Sequence, residues 1–497
     1  MTYVPGGRSF QVRDGQIGLS GALATVPLAV GVSSAGVVST LYYFTDPNVA
    51  LDTLGYGPLT DQVMGIIREV GGCLALKLAG SVAAANTAVS PTRVGSSVGT
   101  ITIGGTAYRD YRGAVQIRET TSALGSGKFR YTFDYDAAHP ERITWSEEIT
   151  IPSGGTYTAP NSGLTFTFVL NSGTPDFETG DLHTWTSTCA HYNTTNVSDG
   201  MTALLASDLL VDKSIEQVYW TGVSATASGA ATLAAAIATH MGTLEDNDHF
   251  ARCIMDGGSL DTASNYLGNF VAVFSDTRVV PSYGFAFVST PAPIPGLAIT
   301  KVALLDPFAV RACDCELSEN PGRVKSGRLK NVIDISHDEE KLVAFSEAAK
   351  TITLRRNRKM RGGFYITNGY LKSPTGSDFL YWDWGRVVDR RSRIIVEGLA
   401  PWTLAKVRIL TDGTGRLDPR DALAIVQPII TTLSAAMKGP TKDGLPSHVT
   451  EASTQCDTES DFASDRTVRI TDRVVPTFPV EGFAIVMGLT RQLEEAA

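Results

Sequence analysis

Residues 95–99, Gly-Ser-Ser-Val-Gly, match the G-x-S-x-G pattern of a nucleophile elbow. In an elbow the nucleophilic serine must sit on a sharp turn between a strand and a helix, where its hydroxyl is exposed. Here the alternating residues 100–103 (Thr-Ile-Thr-Ile) predict that a strand follows the motif. We therefore predict a turn at this position and no hydrolytic serine.

Other groups of chemically capable residues are equally incomplete. Residues 125–128 (Gly-Ser-Gly-Lys) lack the glycine spacing and the Ser/Thr of a phosphate loop, and residues 313–315 (Cys-Asp-Cys) lack a second ligand pair at zinc spacing. His183 and His191 could meet near Cys189 on folding, but chance proximity is the simpler interpretation for seven scattered histidines. The sequence predicts no catalytic residue, no metal site and no cofactor, and this favours a structural or binding role.

The composition describes a large folded chain. Of the 497 residues, 43% are hydrophobic and 19% charged, which predicts two to four domains with buried cores. Six scattered cysteines indicate reduced thiols rather than a disulfide scaffold. Residues 15–45 carry no charge, but Pro27 and several glycines interrupt them, so we predict no membrane insertion. The net charge of −9 does not favour nucleic-acid binding.

An α/β pattern occurs on both sides of a segment of different composition. The spacing of apolar residues predicts a helix over 59–70, capped by Thr60 or Asp61, and then a buried strand over 73–76. After residue 195 the pattern predicts helices over 201–210 and 227–241, and strands over 216–220, 252–255 and 271–274.

Residues 86–192 are rich in Thr, Ser, Gly and aromatic residues in period-two runs. Examples are residues 99–103, 129–133, 149–151 and 164–168. Short alternating strands at this spacing indicate an antiparallel sandwich or barrel. The predicted fold class is therefore α/β plus α+β multidomain: an α/β core interrupted by an inserted antiparallel β-sandwich or barrel domain, with extended N- and C-terminal arms.

Charge is distributed unevenly along the chain. Residues 323–420 contain 20 Lys and Arg against 11 Asp and Glu, whereas the whole chain is acidic. Five basic residues are concentrated within seven positions: Arg355, Arg356, Arg358, Lys359 and Arg361. A solvated basic face and a surface that docks onto an acidic partner, either another protein or another copy of the chain, remain alternatives.

Both ends of the chain alternate as strands do. The N-terminal pattern contains Phe10, Val12, Ile17 and Leu19, and the C-terminal pattern contains Phe483, Ile485, Met487 and Leu489. A local hairpin at residues 8–19 and a terminal strand of its own domain at 483–489 are the simpler interpretations. The alternative is a pair of arms that form strands with neighbouring chains.

Several runs resemble the C-terminal part of contractile tail sheath proteins. They are residues 352–356 (Ile-Thr-Leu-Arg-Arg), 361–369 (Arg-Gly-Gly-Phe-Tyr-Ile-Thr-Asn-Gly), 377–379 (Ser-Asp-Phe) and 385–390 (Gly-Arg-Val-Val-Asp-Arg). Residues 293–296 (Pro-Ile-Pro-Gly), 46–47 (Asp-Pro) and 57–60 (Gly-Pro-Leu-Thr) add to the resemblance. The α/β core is more weakly similar.

The resemblance implies a non-enzymatic subunit of a contractile sheath that polymerises helically around a tail tube and contracts to drive the tube through an envelope. Implied partners are further copies in stacked hexameric rings, the tail tube protein, and baseplate and tail terminator proteins. The implied location is the virion tail, after synthesis in the bacterial host cytoplasm, or a related injection system.

We expect six segments from these patterns together. They are a linking arm (1–20), two parts of the α/β core (21–85 and 193–335), an outer β-rich insertion (86–192), a basic α+β domain near the tube (336–475) and a linking strand (476–497). Two alternatives remain open: another virion tail component, or an α/β hydrolase-like enzyme with a carbohydrate-binding β module.

Overall fold

The computed structural model describes residues 25–222, 226–338, 345–356, 362–438, 441 and 444–479. Its first elements are β1 (Thr25–Gly31), β2 (Thr40–Phe44), α1 (Pro47–Leu54), α2 (Pro58–Val70) and β3 (Cys73–Lys77). Helix α2 confirms the helix predicted over 59–70. The predicted cap is wrong, because the helix begins at Pro58 after Gly57, and proline is favoured at the first helical position.

Nine strands then form two antiparallel sheets, which we call the β-rich region (residues 85–188). The strands are β4 (Ala85–Asn86), β5 (Ser90–Thr92), β6 (Thr100–Gly105), β7 (Tyr111–Ile117), β8 (Lys128–Thr132), β9 (Ile149–Thr150), β10 (Thr156–Thr158), β11 (Leu164–Val169) and β12 (Leu182–Thr188). One sheet has the order β4-β12-β7-β8-β9, with β5 also paired to β12, and the other has the order β10-β11-β6. Alternate residues of the two sheets, such as Phe129 and Phe166, share one apolar core, as period-two patterns predict.

The α/β pattern resumes after the β-rich region. Its elements are α3 (Thr194–Leu205), α4 (Leu209–Asp212), β13 (Ser214–Trp220), α5 (Ala227–Asp246), β14 (Arg252–Asp256), α6 (Ala263–Tyr266) and β15 (Val279–Ser282). The helix predicted over 201–210 starts earlier, because Asn193 caps it and exchanges hydrogen bonds with Asn196. The strand predicted over 271–274 is wrong. Phe270 and Phe274 contact one core at a helical spacing of four, and Val273 is exposed.

The remaining elements surround this core and extend beyond it. They are β16 (Phe285–Ile294), β17 (Leu297–Ala303), α7 (Leu305–Asp314), β18 (Val332–Ile335), α8 (Phe345–Ala349), β19 (Leu354–Arg356), β20 (Phe364–Ile366), α9 (Trp382–Leu399), α10 (Pro419–Met437), β21 (Val449–Cys456), α11 (Phe462–Asp465) and β22 (Ile470–Pro476). The β16–β17 hairpin inserts its tip into the β-rich region, where Ile294 and Leu297 are buried in the shared core.

A central six-stranded sheet of order β15-β14-β13-β1-β3-β2 organises the α/β part, and all its neighbours are parallel except β2 with β3. Leu28 and Val30 of β1 contact the core formed with α3 and α5 on one face, and Ala29 contacts the core formed with α2 and α7 on the other. The protein is therefore a mixed α/β structure with a layer of helices on each side of a mostly parallel sheet. Among the described residues, no helix has the length and apolar content needed to cross a lipid bilayer.

Candidate assembly surfaces

Most residues predicted to link subunits lie outside the part of the chain that the structure describes. This applies to Phe10, Val12, Ile17, Leu19, Phe483, Ile485, Met487 and Leu489 of the two arms, and to Arg358, Lys359 and Arg361 of the basic run. Their roles stay predictions.

Arg355 and Arg356, the two described members of the basic run, lie on β19. The Arg356 guanidinium is 2.9 Å from an oxygen of Asp334, and it also lies over the ring of Phe364. Arg142 of the β-rich region contacts the same carboxylate at 2.6 Å. Because Arg356 is only 41% exposed and already paired, part of its charge is neutralised within the chain.

A second group of arginines in the basic segment is buried along α9. Arg386 donates to Glu216 at 2.7 Å and to the main-chain oxygens of Cys315 and Glu316, while Arg393 donates to the carbonyls of Ile215 and Phe250. Glu216, Ile215 and Phe250 are at or near the beginnings of β13 and β14, so α9 lies at the amino-terminal edge of the central sheet. The surplus of basic residues therefore reflects internal ion pairing as well as surface charge.

The charge of Glu216 is retained despite its burial. Burial alone favours the neutral acid, but the positive charges of Arg386 and Arg393 outweigh it and lower the pKa of Glu216. An ionised carboxylate is thus held between two guanidinium groups, an arrangement that fixes both distance and direction.

Asp389 is the centre of a second buried network on α9. One of its oxygens is 3.0 Å from Nε of Arg252, and the other is 3.4 Å from a terminal nitrogen of Arg278, which also pairs with Glu245. The side chains of Arg252 and Asp389 are each only 2% exposed. Gly385 permits this approach, since a Cβ at that position would lie 1.9 Å from Nε of Arg252.

Strands β21 and β22, which we call the C-terminal strand pair, form the most exposed sheet of the described chain. They pair antiparallel with each other, no third strand joins them among the described residues, and none of their side chains is buried. Arg391 of α9 makes a bidentate contact with Asp472 of β22 and also donates to Thr454 of β21. Both outer edges of the pair offer backbone groups for strand addition.

The chain leaves the C-terminal strand pair along α9. The indole Nε1 of Trp384 donates to the carbonyl of Thr477 at 2.9 Å, and the Phe478 ring lies 4.9 Å from the Trp384 ring. Residues 477–479, the last that the structure describes, are thus held against Trp384 near the start of α9.

The two glycine-rich motifs lie in turns. Ser97 is buried before β6, its hydroxyl donates to the carbonyl of Val94, and no helix follows. Lys128 begins β8, so its loop faces no helix N-terminus. Folding brings His191 close to Cys189 and to Asp110, whereas His183 is buried beside Phe177 in the β-rich region.

No protein-family model and no curated protein matches the sequence. Solved structures do match over nearly the whole chain. A chain of the anti-feeding prophage baseplate in its contracted state has a TM-score of 0.52 and 11% identity, covering 98% of this chain and 99% of that chain. A chain of the contracted helical sheath of the same prophage has a TM-score of 0.50 and 12% identity, covering 99% of this chain and 100% of that chain.

The contracted sheath complex of an extracellular contractile injection system, PVC, gives a TM-score of 0.50 and 10% identity, with coverage of 99% of this chain and 98% of that chain. At these identities the likeness concerns the fold, and it includes both the α/β part and the C-terminal strand pair because coverage is nearly complete. The chain has the fold of contractile sheath proteins.

Proposed function

We propose that the chain is the structural subunit of a contractile sheath, in a phage tail or a related injection system. The observation that carries the proposal is the match, along nearly the whole length of both chains, to proteins of two contracted sheaths. The role requires no catalytic residue, metal or nucleotide.

The proposed linking arms would account for the exposed faces and open edges of the C-terminal strand pair. Residues 1–20 and 476–497 of neighbouring subunits would add strands to the two open edges of β21 and β22, and the apolar side chains of each arm would cover one face. Main-chain hydrogen bonds would hold each added strand in place while the subunit bodies slide past one another, so the subunits would stay linked as their packing changes.

Helical growth follows from contacts between different surfaces of identical subunits, which build filaments when the rotation does not close a ring. Contraction then converts an extended packing into one of lower free energy. We expect stacked hexameric rings around a tail tube, bounded by baseplate and terminator proteins, in a particle made in the bacterial cytoplasm.

The segment arrangement is part of the same proposal. Residues 86–192 would be an insertion on the outer surface, and residues 336–475 would lie near the tube, with Arg355, Arg356, Arg358, Lys359 and Arg361 facing the tube or a neighbour. Pairing of residues 82 and 191 supports the insertion, because it brings together the chain that enters and leaves the β-rich region.

Electron microscopy of the expressed chain tests the proposal. Hollow striated cylinders are expected from the intact protein. Deletion of residues 480–497 keeps the contacts of Trp384 with Thr477 and Phe478 and should give folded protein without cylinders.

Two matched sets of substitutions distinguish a loss of strand pairing from a general loss of hydrophobicity in the C-terminal arm. Changing Phe483, Ile485, Met487 and Leu489 to Ser should abolish cylinders, whereas changing Ala484, Val486 and Thr490 on the opposite face to Ser should preserve them. Monodisperse monomers from the intact chain, or cylinders from the first variant, would refute the proposed role of the C-terminal arm.

A further inference from the structure

The site of interest lies where the β-rich region joins the α/β core. Asp110 immediately precedes β7, whereas Cys189 and His191 lie two residues apart in the segment between β12 and α3, so folding brings together two parts of the chain. The backbone of His191 pairs with that of Val82, at the point where the chain enters and leaves the region.

These three side chains could hold a metal ion. One ligand atom from each lies within 4.8 Å of the other two, and among the described residues no other group of three His, Cys, Asp or Glu meets this condition. Thiolate, imidazole and carboxylate are the ligands that Zn²⁺ binds in proteins, at about 2.0–2.3 Å.

Neighbouring main-chain groups already orient two of the ligands. The Cys189 amide donates to Asp110 at 2.9 Å, which holds the carboxylate beside the thiol. His191 Nδ1 lies 3.0 Å from the Gly222 carbonyl. Because a carbonyl only accepts, Nδ1 carries the proton here, and this same atom lies 4.0 Å from Cys189 Sγ. Metal binding therefore requires the imidazole to turn so that Nε2, which keeps its lone pair, faces the thiol.

A small cavity adjoins the group. Its volume is about 50 Å³, and its lining includes Asp110, Cys189 and the buried carboxyls Asp61 and Asp306, together with two cationic side chains, Lys301 and Arg109, of which Arg109 is already paired with Asp61. The cavity gives room for a water molecule or another oxygen at the fourth position of a tetrahedral site.

The thiol must lose its proton when a metal binds. Coordination would form a sulfur–metal bond and release this proton to solvent, and affinity would therefore rise with pH.

We propose that Asp110, Cys189 and His191 bind a divalent transition-metal ion, Zn²⁺ in preference to Mg²⁺ or Ca²⁺, and that this ion fastens the β-rich region to the α/β core. The inference is independent of sheath assembly, because all three ligands belong to one chain.

Cobalt titration of the full chain tests the site. The protein is stripped with a chelator, dialysed and titrated with Co²⁺, which reports thiolate coordination through a near-ultraviolet charge-transfer band and tetrahedral geometry through intense visible bands. We expect one Co²⁺ per chain, displacement by Zn²⁺ but not by Mg²⁺, and tighter binding at pH 8 than at pH 6.

Variants assign the ligands. Cys189→Ser should abolish the charge-transfer band, and Asp110→Asn, which preserves side-chain size, should weaken Zn²⁺ binding at least tenfold. Cys456→Ser removes a partly buried thiol of the C-terminal strand pair and should change nothing. Circular dichroism checks that each variant is folded.

Absence of the charge-transfer band in the intact chain, or its survival in folded Cys189→Ser, would overturn the proposal. Faster alkylation of Cys189 than of Cys456 by iodoacetamide at pH 7 in the stripped protein would also overturn it, because it would identify an exposed reactive thiolate instead of a buried ligand.

Discussion

The β-rich region and helix α9 are attached to opposite edges of the central sheet, the first mainly by apolar packing with one buried pair between Arg109 and Asp61, and the second mainly by buried ion pairs. The chain enters the β-rich region beyond the carboxyl end of β3, and the region packs around the apolar tip of the β16–β17 hairpin. Helix α9 lies at the amino-terminal edge and is held by buried arginines. Apolar packing has no preferred direction, whereas guanidinium–carboxylate pairs hold one geometry.

The two attachments also differ in how buried charge is balanced. At the β-rich region, burial outweighs the attraction of Arg109 and raises the pKa of Asp61. At α9 the attraction of the arginines outweighs burial: burial alone would raise the pKa of Glu216, but Arg386 and Arg393 together lower it.

The largest effect should come from breaking the charged attachment. Asp389→Ala would leave Arg252 and Arg278 without this carboxylate in a buried site, and removal of one partner of a buried pair costs about 3–5 kcal/mol. We expect a large fall in the urea midpoint of unfolding, measured by circular dichroism.

The matched control is Arg356→Gln, which removes a partly exposed pair and should cost less than about 1 kcal/mol. Equal effects of the two changes would mean that the buried network does not stabilise the position of α9.

A smaller and local effect is expected at the apolar attachment. Leu297→Ala leaves a cavity in the shared core, at a cost of about 2–4 kcal/mol within the β-rich region. Hydrogen exchange should accelerate in β7, β8 and β11 and stay unchanged in β13 and β14. Val169→Ala, on an exposed position of β11, is the control, and acceleration throughout the central sheet would show that the two regions unfold as one unit.

The last expected effect is a change of folding stability with pH, caused by Asp306 near the carboxyl-terminal edge of the central sheet. Burial raises the pKa of Asp306 to about 7, and a hydrogen bond from Thr221 only partly opposes it. The folded chain therefore holds a proton that the unfolded chain loses near pH 4, so stability declines as pH rises from about 4 to 7. Asp306→Asn should be more stable than the parent at pH 8 and equal to it near pH 4.

Urea unfolding at several pH values measures this difference. Asp52→Asn, on the exposed side of α1, should show no such pH-dependent gain. A parent chain whose stability rises between pH 4 and 7 relative to Asp306→Asn would have the opposite sign and contradict the assignment.

Local patterns predicted individual elements well. Alternation identified β6, β8, β9 and β11, and apolar spacing identified α2, because each pattern directly reports which side chains are buried. The same reasoning gave a wrong strand at residues 271–274, because a short apolar run fits a strand as well as a helical turn. The inserted-domain arrangement and the arms stay predictions.

The buried arginines could not be recognised from charge counts, which carry no information on burial. One signal was available: Arg252 opens a buried strand and is followed by three apolar residues, which indicates that a carboxylate accompanies it. Its partner Asp389 is 137 residues away, and only the fold could identify it. The Asp110, Cys189 and His191 group likewise depends on chain segments that meet through the fold.

A cryo-electron microscopy map of the assembled intact chain would test the central claim most directly. The account predicts a hollow helical cylinder in which β21 and β22 form the inner strands of a larger sheet, with residues of the 1–20 and 476–497 segments of neighbouring subunits paired to their outer edges. A cylinder in which both edges of the C-terminal strand pair are bare, or in which each arm folds back onto its own subunit, would contradict it.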